Sequence, residues 1–376
     1  MKKLTLVAGA VLGLVSATSA LAQSSVTLYG IVDAAVTYTT NQVGGTRTGI
    51  DAGQLATSRW GMRGTEDLGG GLKANFTLEG TLINDTGAAG LGFGGNSTPP
   101  GGGPIVVSAA GSTTSLFDRQ ATVGLSGDFG SINLGRQNIL GVDSIGLADP
   151  ISLAQPAINP NVAFSALNSG ALYGGYGTNG GGAALRQNNS IRYVTPIMSG
   201  FGGALMHGFG EQPGNSSAST YNGISGFFSD GKSGVALAYA QLKDNTNSSK
   251  LTLWGGGAKY AVNTALTLRA TYAQNKVDTT NRKIAVIGLG VDYLIAPALT
   301  LTGAFYNTKR SGDIDGKANQ YVGLAKYALS KRTNLYTIFT HAKAGSSAVQ
   351  DTSLGLITTP GNSSANRLAV GVLHAF

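Results

Sequence analysis

The chain has 376 residues and no cysteine, which excludes a disulfide framework and any thiolate nucleophile or metal ligand. A chain this long can build a stable structure without such staples. Only 12% of its residues are charged, and only three are histidine. His207, His341 and His374 lack metal-ligand spacing and an adjacent Asp–Ser arrangement, so neither a metal site nor a Ser–His hydrolase is indicated. His374 shares the parity of an apolar strand face, a poor place for a general base. No catalytic residue and no cofactor follow from this inventory, and an enzyme is not expected. Helical periodicity is nearly absent, and beyond residue 22 no stretch approaches the ~20 apolar residues of a membrane-spanning helix. Any membrane crossing must be made of strands.

What is present begins with glycine, 58 of 376 residues, beside 42% hydrophobic residues and 14 tyrosines. That apolar and aromatic content argues against a disordered, low-complexity chain. The N-terminus carries Lys2 and Lys3, an apolar run from Leu4 to Val15, and the small-residue site Ala20-Leu21-Ala22. These are the three parts of a secretory signal peptide. Residues 1–22 are therefore expected to be cleaved, leaving 23–376 as a single domain that begins at Gln23. This mature chain has 24 basic and 18 acidic residues, a net charge of +6. The basic residues are spread along the chain without a dense patch, so no nucleic-acid partner is expected. Glycine clusters such as "GLGFGGN" do not lead from a strand into a helix, and read as loop glycines and not as phosphate cradles.

Alternation of period two recurs from Val26 to the last residue, the mark of strands with two different faces. Leu266, Leu268, Ala270 and Tyr272 alternate with Thr267, Arg269 and Thr271. Ala285, Ile287, Leu289, Val291 and Tyr293 alternate with Val286, Gly288, Gly290 and Asp292. The chain closes on "RLAVGVLHAF", with Leu368, Val370, Val372, His374 and Phe376 on one face. A terminal strand this abrupt would fray unless tied down.

The connections alternate in length. Short ones fall at 67–71, 128–130, 196–200, 229–233, 262–263, 296–298 and 330–332. Longer ones fall at about 40–56, 84–115, 138–184, 211–219, 244–249, 277–282, 310–317 and 345–364. Seven short turns and eight long loops separate sixteen strands. An even number of strands with alternating short and long connections predicts an all-β, 16-stranded antiparallel transmembrane β-barrel. Tyr260, Tyr293 and Tyr327 share the apolar parity near the short turns, as an interfacial girdle requires. In lipid every backbone group must pair within the protein, so the sheet must close. The last strand is then tied to the first, "SVTLYGIVDAAV".

Several stretches resemble the general porins of Gram-negative bacteria, of the beta-proteobacterial type. They are "SSVTLYGIVDAAV", "SRWGMRGTEDLGGGLKANFTLEG" at 58–80, "LFDRQATVGLSGDFGSINLGRQ" at 116–137, "RQNNSIRYVTP" at 186–196, "YALSKRTNLY" at 327–336 and the terminal aromatic. The resemblance implies a homotrimer in the cell outer membrane, whose third loop folds inward to narrow a pore for passive diffusion of small hydrophilic solutes and ions. It also implies contact with outer-membrane lipid and lipopolysaccharide, and reading of Phe376 by the outer-membrane assembly machinery. Two alternatives stay open on the same fold: a substrate-specific anion channel, and a surface adhesin or phage receptor acting through the loops.

Selectivity in such a pore comes from its width and from the fixed charges at its narrowest point. Parity turns Arg59 and Arg63 inward, because Trp60 and Met62 face lipid. Lys73, Glu79 and Arg269 follow by the same rule. Arg186 and Arg192 turn inward opposite Ile191 and Tyr193. Strict alternation places Arg136 with Ile132 and Leu134, so it faces the pore only if Gly135 forms a bulge. The resemblance favours an inward Arg136 and assigns Arg59, Arg136 and Arg186 to a basic constriction wall. Asp143 and Asp149 are the carboxylates available to the third loop, which reads "PAINPNV" where enterobacterial relatives carry a "PEFGG"-like acidic segment. The balance predicts modest anion preference.

Overall fold

The computed structural model describes residues 25–42, 44–90, 116–154, 159–163, 175–178, 185–312, 315–345 and 362–376. The expected signal segment, 1–22, lies outside them. Eighteen strand segments form one sheet. The first nine are β1 (Ser25–Gln42), β2 (Gly45–Ala52), β3 (Arg59–Gly69), β4 (Leu72–Ile83), β5 (Ala88–Gly90), β6 (Gln120–Gly127), β7 (Gly130–Asn138), β8 (Arg186–Val194) and β9 (Phe201–Gly208). Then follow β10 (Tyr221–Ser229), β11 (Ser233–Lys243), β12 (Lys250–Ala261), β13 (Leu266–Val277), β14 (Lys283–Ala296), β15 (Leu299–Ser311), β16 (Gly316–Ala328), β17 (Thr333–Ala344) and β18 (Ser364–Ala375). Among the described residues two short helices, α1 (Leu140–Gly146) and α2 (Pro160–Ala163), lie between β7 and β8.

All pairings are antiparallel, and the sheet closes where β18 meets β1 in the register Ile31 to Ala375 through Thr39 to Arg367. The eighteen segments make sixteen wall strands. β2 pairs with the second half of β1 and β3 with its first half, so β2 and β3 are one interrupted strand. β5 pairs with the last three residues of β4, beyond the stretch of β4 that pairs with β6, so β5 and β6 share one place in the wall. Residues 40–56, expected as a loop, are thus largely strand. The pattern was hidden because β2 alternates Thr46, Thr48 and Ile50 with Arg47, Gly49 and Asp51, which is nearly all polar.

The interruption at 53–58 is held by a buried carboxylate. Asp33, fully buried on β1, accepts hydrogen bonds from Leu55 N and Ala56 N, each at 2.7 Å, and from the Tyr336 hydroxyl. Its own backbone bonds Gly53 N and the Ser58 side chain. The amides lost from the strand ladder are satisfied there, as buried backbone must be.

Outward positions are apolar and exposed around the whole wall, among them Val26 at 67%, Leu237 at 63% and Val370 at 53%. A closed sheet that turns its apolar face outward is built for lipid. Tyr260, Tyr293 and Tyr327 stand exposed beside the short turns, as the girdle predicts. The C-terminal seam is complete: Gly30 and Phe376 exchange backbone hydrogen bonds at 3.1 Å in both directions. The Phe376 ring covers Gly30, where any Cβ would collide with it. Gly30 therefore is small to receive its own chain's terminus.

Inward positions divide into two kinds. Along β9 to β18 many are small or apolar, and residues 139–154 pack on them. Ile139, Leu140 and Ile145 cluster with Met206, Tyr221, Leu242, Leu253 and Ala273. Ile151 and Ala154 cluster with Val286, Tyr306, Val322, Ile338 and Ala369. A Cβ on Gly257 would meet Ala148 Cβ at 2.7 Å, and one on Gly290 would meet Pro150 Cβ at 2.6 Å. Along β3 to β8 the inward face is polar and basic.

Candidate functional site

The basic face is assembled from four places in the chain. Arg59 opens β3, Arg119 precedes β6, Arg136 lies near the end of β7, and Arg186 opens β8. Glu79 on β4 joins the first two. Its Oε1 takes the Arg119 Nε at 2.6 Å, and its Oε2 lies 3.8 Å from the Arg59 Nε. The Tyr29 hydroxyl donates to the same Oε2 at 3.1 Å. Arg63 stacks over the Tyr29 ring, 5.2 Å from its centroid, which extends the charge one step towards the short turns.

Arg136 reaches this group through the bulge that sequence parity required. Gly135 has φ +122°, a conformation glycine adopts without a Cβ penalty, and the β7–β8 register shifts between Gly135 and Gln137. The re-aimed guanidinium donates to the Asp118 carbonyl and the Asn188 side chain, each at 2.6 Å. Asp118 is fixed in turn by Thr81 N at 2.7 Å and the Thr81 hydroxyl at 2.9 Å. Arg186 lies within Coulombic range of Arg119, Arg136, Asp118 and Glu79. Four guanidiniums therefore share two carboxylates.

The members differ in access to water. The Arg59 side chain is 27% exposed and Arg63 is exposed, whereas Arg186 is only 3% exposed and Arg119 8%. Arg186, expected on the basic constriction wall, is buried behind it. Sequence reasoning placed Glu79 inward but did not single out Arg119. In "LFDRQATV" Arg119 stands one residue ahead of β6, so strand parity gave it no side.

The other predicted residues lie elsewhere. Arg192 pairs with Asp143 of α1, so each neutralises the other. Asp149 does not face the aqueous pore. It is fully buried and accepts from Ile151 N at 3.1 Å, Leu153 N at 2.9 Å, Asn159 and Asn161 side chains at 2.8 Å, and the Tyr306 hydroxyl at 3.3 Å. The Asn161 side chain also donates to Thr271 at 3.0 Å. Asp149 thus ties Ile151 and Leu153 to Asn159 and Asn161 and all of them to β15, while Asn161 reaches β13. Its loop position showed in the sequence, but its five donors did not. Other inward arginines also meet acids: Arg269 pairs with Asp292 at 2.7 Å, and Arg367 and Arg47 share Asp51 at 2.7 and 2.6 Å.

A closed barrel with a lipid-facing exterior and a charged interior is an outer-membrane diffusion pore. A sequence profile described as Gram-negative porin matches residues 7–346, and the chain belongs to that family. Outer membrane porin protein 32 of Delftia acidovorans is 35% identical over 274 residues, covering 70% of this chain and 67% of that one. The solved structure of an anion-selective porin from Comamonas acidovorans superposes with a TM-score of 0.74 at 27% identity, over 94% of this chain and 100% of that one. A Vibrio cholerae outer-membrane protein described as a trimer form shares the fold, with a TM-score of 0.61 at 13% identity over 94% and 99% of the two chains.

Proposed function

We propose that this porin passes small hydrophilic solutes and ions with modest preference for anions, set by the arginine cluster around Arg59 and Arg136. One observation carries the reading: among the described residues the cluster holds four guanidiniums to two carboxylates and leaves Arg59 part-exposed, whereas Arg192 and Arg269 each have a carboxylate of their own and the Asp51 site that Arg367 shares with Arg47 buries the Arg367 guanidinium. The two acids available to oppose the cluster are spent elsewhere, Asp143 on Arg192 and Asp149 on its own loop. The packing of residues 139–154 on inward positions supports a third loop folded into the lumen, narrowing it towards the basic wall. The anion-selective Comamonas relative supports the same sign.

In this reading residues 1–22 are removed on export, and the mature chain is a single barrel that assembles as a trimer, as the Vibrio relative does. Phe376 is the assembly signal, and the barrel contacts outer-membrane lipid and lipopolysaccharide. The deciding experiment is a planar bilayer held across a KCl gradient. A reversal potential of the anion sign is expected, and a clear cation sign would reject the assignment.

A further inference from the structure

Tyr29 stands inside the basic wall without adding a charge to it. Its backbone lies opposite Gly61, and Gly61 lies opposite Glu79, so the three form one row across β1, β3 and β4. Adjacent strands stand about 4.8 Å apart, so about 10 Å separates the backbones of Tyr29 and Glu79. The tyrosine crosses that gap over Gly61, and its hydroxyl reaches Glu79 Oε2 at 3.1 Å. A Cβ on Gly61 would stand 2.9 Å from the ring's Cζ and hydroxyl oxygen, and 2.6 Å from the Leu78 carbonyl oxygen. Glycine leaves the path open.

On β3 the residues two places to either side of Gly61 are Arg59 and Arg63, on the same inward face. The ring therefore lies between two guanidiniums. Arg63 stacks over it, 5.2 Å from the centroid. Arg59 stays 3.8 Å from Glu79 Oε2 and 27% exposed, whereas Arg119 holds Oε1 at 2.6 Å. The carboxylate thus grips Arg119 tightly and Arg59 loosely. The hydroxyl accounts for the difference. It fills Oε2 with a neutral donor, and an oxygen already satisfied gains less by drawing in a second cation.

We propose that Tyr29 is a positioning residue for ion preference: by filling Glu79 Oε2 and separating Arg59 from Arg63, it keeps both guanidiniums in contact with water. Its ring and its hydroxyl have separate tasks, the first towards Arg63 and the second towards Glu79. A neutral side chain so preserves the excess of free positive charge that the carboxylate would otherwise reduce. The inference rests on the reading of the arginine cluster as the selective zone.

The test measures the chloride-to-potassium permeability ratio of the purified pore from its reversal potential in a planar bilayer. In Tyr29→Phe the ring stays and the donor goes, so Arg59 should close on Glu79. The ratio should then fall about twofold, the scale of a part-exposed ion pair. Tyr29→Leu takes the ring from Arg63 as well. It should lower the ratio further, and it gives the same readout if Tyr29→Phe assembles poorly. A tyrosine that only filled space would give a change independent of its neighbours. The effect of Tyr29→Phe should instead vanish in an Arg59→Gln background, which has no cation to capture, and in a Glu79→Gln background, which has no carboxylate to capture it. Tyr260→Phe, on the lipid face, should leave the ratio unchanged. An unchanged ratio in Tyr29→Phe overturns the proposal, and so does an equal fall in all three backgrounds. A wild-type pore of cation sign rejects the anion-preference reading alone, because the variants compared with wild type still report whether Tyr29 acts through Glu79 and Arg59.

Discussion

The β3–β8 wall and the β9–β18 wall share one barrel and one inward parity, yet carry opposite chemistry. The first keeps guanidiniums in excess and leaves Arg59 and Arg63 in contact with water. The second presents alanine, valine and glycine, over which residues 139–154 are laid. Two arginines on this wall, Arg269 on β13 and Arg367 on β18, are paired with Asp292 and Asp51. The difference teaches that the sign of the pore is set by where the packed segment does not lie. An apolar inner wall positions the segment, and the uncovered wall supplies the field.

The seam that joins the two walls should give the largest effect. Deleting Phe376 removes the reciprocal backbone pair with Gly30 and the ring that covers it. Outer-membrane abundance of the deletion variant should fall severalfold, measured by quantitative blotting of membrane fractions, while the conductance of the molecules that do insert stays normal. Normal abundance would remove the seam from the argument.

Single charges test the walls against each other. Arg136→Gln should move the reversal potential in a KCl gradient towards cations, and Glu79→Gln should move it further towards anions. Arg269→Gln, on the other wall, frees Asp292 as a local negative charge but lies outside the cluster, so its shift should be smaller. Arg367→Gln should also do little, because its guanidinium is buried against Asp51 and Gln54. The effects should grow at low salt, since screening over about 8 Å at physiological ionic strength confines them to the narrowest zone. Equal shifts for Arg136 and Arg269 would dissolve the distinction between the walls.

These contrasts were only partly legible in the sequence. Alternation located the strands and most inward charges, because side chains on a strand have a strict period of two. The Arg136 question could be posed but not answered, since a bulge depends on the φ of Gly135 and the register with β8. Arg119 and Asp118 lie just outside a strand, where parity assigns nothing. β2 was missed because its two faces differ little in polarity. Asp149 looked like a wall charge, since a loop carboxylate and a buried clasp have the same one-letter code. The apolar inner wall was not read from the sequence, because inward Ala, Val and Gly carry no polarity signal and only the packed residues 139–154 explain why they are small.

The packed segment can be displaced by sterics alone. Gly290→Val would drive methyl groups into Pro150, whose Cβ lies 2.6 Å from the nearest position a side chain could start. Segment 139–154 cannot yield outward through the sheet, so it should shift into the lumen. Single-channel conductance should drop measurably, whereas Gly303→Val, on the lipid face with no close neighbour but Val291 at 3.6 Å, should leave it unchanged.

The smallest effect separates the two walls by acidity at a loop end. Asp244, at the 244–249 connection of the apolar half, is held below the ordinary carboxylate value. Its slight burial opposes this, but the hydroxyls of Ser248 and Thr246 and the amides of Ser249 and Ser248 outweigh it. A lowered pKa means the anion stabilises the folded turn. That contribution is complete above the unfolded value near 3.9 and is lost as pH falls through the lower folded value. The turn should therefore stay closed from neutral pH down to about 4 and loosen only below it. Amide exchange at Ser248 and Ser249 measures this directly, after correction for the intrinsic pH dependence of exchange. Asp244→Asn should abolish the pH dependence while conductance and ion preference remain those of the wild type. A transition with its midpoint above pH 5 would show that another group controls the turn.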